Sequence, residues 1–434
     1  MSPKEIIETV AQKVKSSTQG LASKKISLKE IFPYLGPAFL VSVGYMDPGN
    51  WGTNIEGGSN FGYKLLWVLL VSNLMAILLQ TMAARLGIVT GKSLAENCRD
   101  RFSKPTNIFL WIMAEAAMMA TDIAEFLGAA IGFYILFGIP MFQAGLLTGV
   151  VVFLILGLHR FGFRSVEYAI IGLVAVIGFA YVFEIFLAKP DWGEVAYHTF
   201  VPHIDSTSIY VAMGMLGATV MPHNLFLHSG IIQTRSLMLP HEPEERRKRK
   251  LFRFAVIDSI AALNLAWLVN SAMIVMSAAV FFRNGLEVSS IQEAHRTLEP
   301  LLGGLSSVAF AIALLASGLS SSTTGTMAGQ IVLEGFLHIK MSLWLRRLIT
   351  MVPALIVIAI GLNELEVLVL SQVILSIQLP FTIIPLIYFT KKKDVMGPHS
   401  NGRIANILAH ASAGLIIALN ILLIYQFTGG SFAW

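Results

Sequence analysis

One short motif occurs inside two long apolar runs of the sequence. The motif is a residue followed by Pro, any residue and Asn: Asp-Pro-Gly-Asn at 47–50 and Met-Pro-His-Asn at 221–224. Pro lacks a backbone donor and clashes with the preceding turn, so each run is predicted to be a helix that breaks there. Broken backbone at membrane depth is tolerated only where it is buried in protein or lines a cavity. We call these two positions the first break and the second break.

The carboxyl group of Asp47 makes the first break a candidate functional site. A charged side chain inside an apolar membrane run costs about 2.5–3.5 kcal/mol on insertion scales, so its presence there indicates a function. Each break also interrupts the first long apolar segment of its half of the chain. Paired interruptions at corresponding positions indicate a midplane binding site in an inverted-repeat transporter.

The composition predicts an all-α polytopic membrane protein. Of the 434 residues, 55% are hydrophobic and 13% are charged, whereas about 25% are charged in soluble domains. A helix needs about 20 apolar residues to cross a bilayer. Eleven segments meet that length, near 36–58, 63–88, 107–137, 140–158, 165–188, 207–235, 253–283, 301–334, 342–362, 365–389 and 404–427.

These segments predict a single transmembrane domain over 31–434, preceded by a polar arm at 1–30. Repeat one (about 36–188) and repeat two (about 207–389) would each contain five helices, and 404–427 would be an extra helix. The first and sixth helices are the broken ones. The third, seventh and eighth segments are long and are expected to tilt or protrude.

The basic residues predict the orientation of the chain. Only four of the 31 Lys and Arg residues fall outside the N-terminal arm and the alternate loops on its side, namely Lys64, Lys189, Arg283 and Arg296. Because cytoplasmic loops carry the excess of basic residues, the N-terminus is expected in the cytoplasm and the C-terminus outside the cell membrane. The net charge of +5 therefore reflects topology, and no nucleic-acid partner is expected. The charged tract 241–250 is predicted to be a solvated cytoplasmic loop.

The residues at the two breaks suit a divalent metal ion. If the breaks face each other, they offer the Asp47 carboxylate, the Asn50 amide oxygen, the Ala218 carbonyl and the Met221 thioether. Oxygen ligands suit ions such as Mn²⁺, and a thioether favours transition metals over Ca²⁺ and Mg²⁺. Taken alone, Met221 could be apolar filler. Asn50 could cap the restarting helix, a role compatible with binding metal.

Acidic residues in the third segment form a second group of candidates. Glu115, Asp122 and Glu125 lie on one side of a predicted helix, and Arg346 and Arg347 of the ninth segment are their natural partners. Charged groups in a membrane helix must face the protein interior or water. The group is therefore either a structural ion-pair network or a buried proton route.

Two histidines and three glutamines also lie in apolar runs. His223 and His228 are five residues apart, too far round a helix to chelate together, and they either line a pathway or relay protons. Gln80, Gln372 and Gln378 are typical of hydrogen bonds between helices, although a glutamine of the tenth segment could also bind the metal.

Over nearly its whole length the chain resembles the Nramp family of divalent metal transporters. The resemblance is carried by both break motifs, the acidic third segment and the Ser371–Phe381 stretch. It implies an inverted-repeat fold of the leucine-transporter type. The implied function is that of a bacterial manganese or iron transporter, which imports Mn²⁺, Fe²⁺ and similar ions with protons by alternating access.

The resemblance also implies roles for individual residues. The implied metal ligands are Asp47, Asn50, Ala218 through its carbonyl, Met221 and Gln372, with Gln378 as the alternative to Gln372. The implied proton pathway runs through Asp47, His223, Asp122, Glu125, Arg346, Arg347 and Glu115. The expected partners are divalent metal ions, protons and the lipid bilayer. No cofactor is expected, and the protein is expected to act as a monomer.

Two other functions are alternatives to metal transport for a sequence of this kind. A sodium- or proton-coupled symporter of a small organic solute would share this fold, but it would favour small residues at the breaks over Asp and Met. A membrane-embedded enzyme is not expected, because the chain lacks a zinc-protease motif, a phosphate loop and a Ser-His-Asp set. The polar run 317–326 is predicted to serve close helix packing.

Overall fold

The computed structural model describes residues 36–157, 163–203, 205–236, 243–286 and 288–428, and this part of the chain is helical, without strands. The predicted arm at 1–30 and the C-terminal residue lie outside the described residues. The helices are α1 (Pro37–Ser42), α2 (Pro48–Phe61), α3 (Leu66–Thr90), α4 (Leu94–Arg101), α5 (Lys104–Phe137), α6 (Met141–Gly157), α7 (Phe163–Ala188), α8 (Trp192–Phe200), α9 (Ile209–Val220), α10 (Pro222–Ile231), α11 (Gln233–Ser236), α12 (Glu244–Val280), α13 (Ile291–Leu302), α14 (Gly304–Leu337), α15 (Leu343–Ile360), α16 (Glu364–Lys391), α17 (Lys393–Met396) and α18 (Arg403–Phe427).

Each of the eleven predicted segments coincides with a helix or, at the two breaks, with a pair of helices. Within the described ranges, eight helices are long and apolar enough to cross a membrane, and Pro37–Met46 and Met141–Gly157 are shorter apolar helices. The predicted all-helical membrane fold is confirmed, while the count of eleven crossings stays a prediction. The three long segments are α5, α12 and α14, with 34, 37 and 34 residues.

The first break is a short 3₁₀ turn followed by a restarted helix. The turn comprises Gly44–Met46, between α1 and α2. Asp47 is extended, with φ −68° and ψ 166°, and its side chain caps α2. Pro48 is the first residue of α2, where its missing N–H would have had no helical partner. The motif therefore both ends one helix and starts the next.

The second break occurs at a single residue. Helix α9 ends at Val220 and α10 begins at Pro222, with Met221 between them. Met221 has φ 26° and ψ 106°, and no side chain caps the start of α10. Positive φ is uncommon for a residue with a side chain. The break at the sixth helix is thus present as predicted, in a more strained form than the first.

The prediction of a solvated loop at 241–250 was wrong from Glu244 onward, because α12 begins there. Residues 241–242 lie outside the described residues. The acidic Glu244 and Glu245 occupy the first turn, where they interact favourably with the helix dipole. An ion pair of 2.6 Å between Glu244 and Lys248, one turn apart, adds to the helix. From Glu244 onward, the charged tract is therefore a solvent-exposed extension of a membrane helix.

Helices α5 and α14 pack closely through small residues beside the first break. A Cβ added to Gly318 would meet Ala129, and one added to Gly132 would meet Leu315. The run 317–326 is buried at this contact, and several of its hydroxyls donate to carbonyls of their own helix. Close packing of this kind is typical of small residues between membrane helices, and it holds α5 next to the first break.

Candidate functional site

The first break interrupts the regular helical bonding of the 3₁₀-turn carbonyls, although the Gly44 carbonyl still accepts from the Asp47 N–H at 3.2 Å. A buried carbonyl without a donor would cost free energy, so each must find one. Side chains donate to all three carbonyls, and they come from three different helices. The donors are Asn50 of α2 for Gly44 at 3.3 Å, Asn270 of α12 for Tyr45, and Ser317 of α14 for Met46.

The Asp47 carboxylate is buried, and its two oxygens differ in their hydrogen bonding. Its Oδ1 accepts hydrogen bonds of 2.8 Å from both the backbone N–H and the side-chain Nδ2 of Asn50. Its Oδ2 is buried and has no hydrogen-bond partner among the described residues. Buried polar atoms are normally hydrogen-bonded, so this oxygen marks a position where a cation could bind.

The Asn50 amide joins the two breaks. Its Nδ2 lies 2.8 Å from Asp47 Oδ1, 3.1 Å from the Ala218 carbonyl and 3.3 Å from the Gly44 carbonyl. A half-turn of the amide would exchange its nitrogen and oxygen at this point, and such orientations are assigned from the hydrogen-bond network. The structure therefore brings Asp47, Asn50 and Ala218 together around one point.

Met221 contributes a buried sulfur at the second break. Its Sδ lies 3.4 Å from the Nδ2 of Asn224. The side chain packs with Ala117 and Ala120 of α5 and with Leu375 of α16. The contact with Asn224 places the thioether beside a polar group of the break, where it could bind a soft metal ion.

Asn224 is a residue whose role was not predicted. It follows Met221 by three positions, as Asn50 follows Asp47. In both motifs the Asn side chain returns to the residue before Pro. The repeated spacing was visible in the sequence. In each break it places a side-chain amide against the residue before Pro.

Of the two candidate glutamines on α16, Gln372 lies at the first break. A Cβ added to Gly49 would collide with its side chain. Gln372 donates to the Ser371 hydroxyl at 2.9 Å, and its Oε1 is buried without a partner among the described residues. The Gln378 amide bonds instead to Thr382. That Gln372 binds metal stays a prediction.

Two ion pairs connect α5 with α15. Arg347 contacts Asp122 at 2.9 Å and also donates to Ser322 at 3.1 Å. Arg346 contacts Glu115 at 2.7 Å, and the Glu115 side chain is 19% exposed. The two pairs therefore differ in solvent access: Asp122 and Arg347 are buried, whereas Glu115 lies nearer to water.

Glu125 lies between the buried ion pair and the first break. It is one turn from Asp122 on α5, and neither of its carboxylate oxygens has a hydrogen-bond partner among the described residues. A Cβ on Gly325 of α14 would meet its Oε2. One turn further along α5, Gly128 packs against Pro48. The acidic face of α5 thus leads from the arginines to the first break.

The two histidines have separate environments. His223 Nδ1 lies 3.4 Å from the hydroxyl of Thr121 on α5. His228 Nδ1 lies 2.9 Å from Gln80 Oε1, and the Gln80 amide donates to the Tyr45 hydroxyl at 2.8 Å. The histidines therefore do not chelate together, and Gln80 forms hydrogen bonds between helices.

Glu184 on α7 is a buried acid that was not singled out in advance. It is the only acid in the apolar run 170–188, and neither carboxylate oxygen has a partner in the described part of the chain. Tyr181, one turn away, packs edge-on against Trp51 of α2 at 5.0 Å. The group therefore lies beside the restarted helix, away from the ion pairs of α5.

The arrangement of helices is the leucine-transporter type of fold. Mhp1, a nucleobase-cation-symport-1 family transporter, aligns with a TM-score of 0.57 at 14% identity, over 90% of this chain and 91% of Mhp1. MhsT, solved in complex with L-phenylalanine, aligns with a TM-score of 0.54 at 14% identity, over 89% of this chain and 97% of MhsT. At this identity the likeness shows the fold alone.

The family is shown by the sequence comparisons. The family model described as natural resistance-associated macrophage protein-like matches residues 38–426, so the chain belongs to the Nramp family. The divalent metal cation transporter MntH of Caldanaerobacter subterraneus is 51% identical over 401 residues, covering 92% of this chain and 94% of that protein. MntH of Clostridium acetobutylicum is 52% identical over 405 residues, covering 93% of each.

A solved structure agrees with this assignment. The manganese transporter of Eremococcus coleocola aligns with a TM-score of 0.83 at 37% identity, covering 95% of this chain and 90% of that one. The relatives are named as transporters and not as enzymes. The enzyme alternative is therefore set aside, and the predicted family is confirmed.

Proposed function

We propose that this protein imports Mn²⁺, Fe²⁺ and similar divalent transition metal ions together with protons. The observation that carries the proposal is the meeting of the two breaks at the Asn50 amide, which brings the Asp47 carboxylate and the Ala218 carbonyl together. The names of the relatives, divalent metal cation transporters and a manganese transporter, agree with it.

The donor set favours a transition metal as cargo. Asp47, Asn50 and Ala218 offer oxygens, Met221 offers a thioether, and Gln372 offers a buried amide oxygen without a partner. A hard ion such as Ca²⁺ or Mg²⁺ gains little from sulfur, whereas Mn²⁺ and Fe²⁺ accept mixed oxygen and sulfur ligands. The metal is cargo, and the proposal requires no cofactor.

The burial of these residues supports alternating access. Asp47, Ala218, Met221 and Gln372 have no exposed surface, and Asn50 is 1% exposed. A metal ion can reach or leave such a site only if helices move. In transporters with two broken helices, one repeat or bundle moves largely as a rigid body against the other around a fixed site.

The proposed proton route follows the acidic face of α5. It would run from Asp47 past Glu125 to the pair of Asp122 and Arg347, and then to the pair of Arg346 and Glu115. His223, which contacts Thr121 on the same helix, would be a further member. Glu115 is the most exposed of these carboxyls, so it is the proposed exit.

The proposed location is the cell membrane with a cytoplasmic N-terminus and an external C-terminus. The distribution of Lys and Arg supports this orientation. A negative cytosol favours cation uptake by about 2.3 kcal/mol per charge per 100 mV. Import is therefore the proposed direction.

The test is Mn²⁺ uptake into proteoliposomes that contain the purified protein, with and without an inward proton gradient. We expect uptake that increases when the outside is acidified, because protons then flow with the metal. Glu125→Gln is expected to remove this stimulation, since the isosteric amide cannot release a proton. Glu115→Gln, at the proposed exit, should reduce the stimulation less than Glu125→Gln does, because its carboxyl lies nearer to water.

Two results would count against the proposal. Absence of uptake of any divalent metal by the wild-type protein would remove metal transport itself. Uptake that ignores the proton gradient would remove only the coupling. No specific observation favours the organic-solute alternative, which would gain support if amino acids or nucleobases blocked Mn²⁺ uptake.

A further inference from the structure

One face of α12 changes from arginine to apolar residues along its length. Arg246, Arg249 and Arg253 are exposed and follow one another at spacings of three and four residues. We call them the arginine stripe. The same spacing continues with Ile257, 38% exposed, and Ile260, 45% exposed. Residues three or four apart lie on one face of a helix, so the stripe continues directly into a lipid-facing surface.

The length of α12 places the stripe at the membrane surface. The helix has 37 residues, about 55 Å at 1.5 Å per residue, whereas the hydrocarbon core of a bilayer is about 30 Å thick. The excess lies at the charged N-terminal end, because the remainder of the helix is apolar. Arg253 is one turn from the exposed Ile257, at the level where lipid headgroups begin.

We propose that the arginine stripe binds the phosphate of an anionic phospholipid in the cytoplasmic leaflet, whose acyl chains lie along Ile257 and Ile260. Guanidinium groups bind phosphate through paired hydrogen bonds. A basic segment immediately next to a membrane helix is typical of binding to anionic lipids. The unbroken passage from arginine to apolar surface favours a lipid over a soluble phosphate.

The neighbouring charges leave two arginines of the stripe, Arg249 and Arg253, available for such a ligand. Glu244 and Glu245, in the first turn of the helix, pair with Lys248 at 2.6 Å and with His399 at 3.0 Å, respectively. For Arg249 and Arg253, no ion pair occurs within the described residues. A phosphate would therefore not displace an existing partner of these two arginines.

Arg247 provides a matched control in the same turn of α12. It faces the protein side, where it lines a cavity of about 550 Å³ with Lys248, Thr90 and Gln233. Arg247→Gln removes one positive charge at nearly the same depth, but it leaves the arginine stripe intact. The variant therefore separates a specific site from the general attraction between basic residues and anionic lipids.

The experiment titrates purified full-length protein in neutral detergent with phosphatidylglycerol or phosphatidylcholine. Bound lipid is counted by native mass spectrometry, and the thermal midpoint is followed in parallel. We expect retention and stabilisation by phosphatidylglycerol only. The double variant Arg249→Gln/Arg253→Gln should bind phosphatidylglycerol about tenfold to thirtyfold more weakly, given about 1 kcal/mol per basic residue near the surface. Arg247→Gln should lose less than about fivefold in affinity, the factor that about 1 kcal/mol would give, because Arg247 faces the protein side.

Several outcomes would overturn the proposal. Equal binding of both lipids by wild type, unchanged binding by the double variant, or an equal loss in Arg247→Gln would each exclude a specific lipid site. Equal stabilisation by inorganic phosphate would assign the stripe to a soluble anion. If the double variant is poorly folded, Arg249→Lys/Arg253→Lys keeps the charge without the paired donors, and it should show an intermediate affinity.

Discussion

The two breaks share one motif but are stabilised differently. At the first break, Asp47 is extended and its side chain caps the next helix. Each carbonyl of the 3₁₀ turn there accepts a hydrogen bond from a side chain. At the second, Met221 has a φ of 26° and no side chain caps α10. The Ala218 carbonyl there is bonded by Asn50, which belongs to the first break.

This difference predicts separate roles for the two breaks in binding and selecting the metal. The first break is braced by three helices and carries the only carboxylate of the proposed metal site. The second break carries strain and a soft sulfur, and it depends on the first for one hydrogen bond. Substitutions at the first break should therefore affect whether metal is bound, whereas substitutions at the second should affect which metal is bound.

The largest expected effect is that of Asp47→Asn. The amide removes the negative charge but can still accept a hydrogen bond from the Asn50 backbone N–H, so the cap of α2 persists. We expect Mn²⁺ uptake to fall about 100-fold or more, beyond the losses typical of residues that only support metal ligands. The free energy of unfolding should change by less than about 1 kcal/mol. Uptake within a few-fold of wild type would show that the charge of the first break is dispensable.

A pair of glycine substitutions tests how each break contacts α16. A Cβ on Gly217, at the second break, would meet the backbone of α16 at Gln372 and Ser376. Gly217→Ala should therefore destabilise the protein by about 1–3 kcal/mol, as other overpacking changes do. Gly49→Ala, at the first break, would instead meet the Gln372 side chain from Cγ to Nε2, which can rotate about its own bonds.

For Gly49→Ala we thus expect near-normal stability but weaker Mn²⁺ binding, because Gln372 is pushed from the site. Thermal unfolding and the concentration dependence of uptake distinguish the two effects. The comparison fails if Gly49→Ala unfolds as readily as Gly217→Ala.

The bracing of the first break can be tested with two serines of α14. Ser317→Ala removes the donor to the Met46 carbonyl and should cost about 2 kcal/mol, because a buried acceptor loses its partner. Ser320→Ala is the control, since its hydroxyl bonds to Ala316 and Ser317 carbonyls of its own helix. It should be nearly neutral in the same thermal-unfolding measurement. Equal effects of both changes would mean that the first break is not braced by Ser317.

The positions of both breaks could be predicted because their causes are local. Pro48 and Pro222 remove a backbone donor within apolar runs, and the helices restart at those residues. The braces could not be predicted in this way. Asn270 and Ser317 lie 225 and 271 residues from the carbonyls that they bond, and a single sequence carries no signal for such pairings.

The error at the start of α12 has a different cause. The charges of the tract 241–250 suggested a loop, but Glu and Lys are also good helix formers when spaced one turn apart. The spacing of Glu244 and Lys248 was visible in the sequence. Charge therefore predicted the solvent exposure of Glu244, Glu245 and Arg246 correctly, but it did not separate helix from loop.

The smallest expected effect on uptake, and the sharpest test of the second break, is that of Met221→Ala. Without the sulfur, the oxygens of Asp47, Asn50 and Ala218 remain, so Mn²⁺ uptake should persist within a few-fold. Ca²⁺ and Mg²⁺, which gain little from a thioether, should compete about tenfold better than in wild type, a change of about 1.4 kcal/mol in relative affinity. Met215→Ala, which removes another buried methionine two turns earlier on α9, is the control for lost packing and should leave the competition unchanged. If Met221→Ala still excludes Ca²⁺ and Mg²⁺, the sulfur does not set selectivity, and the two breaks differ only in how they are held together.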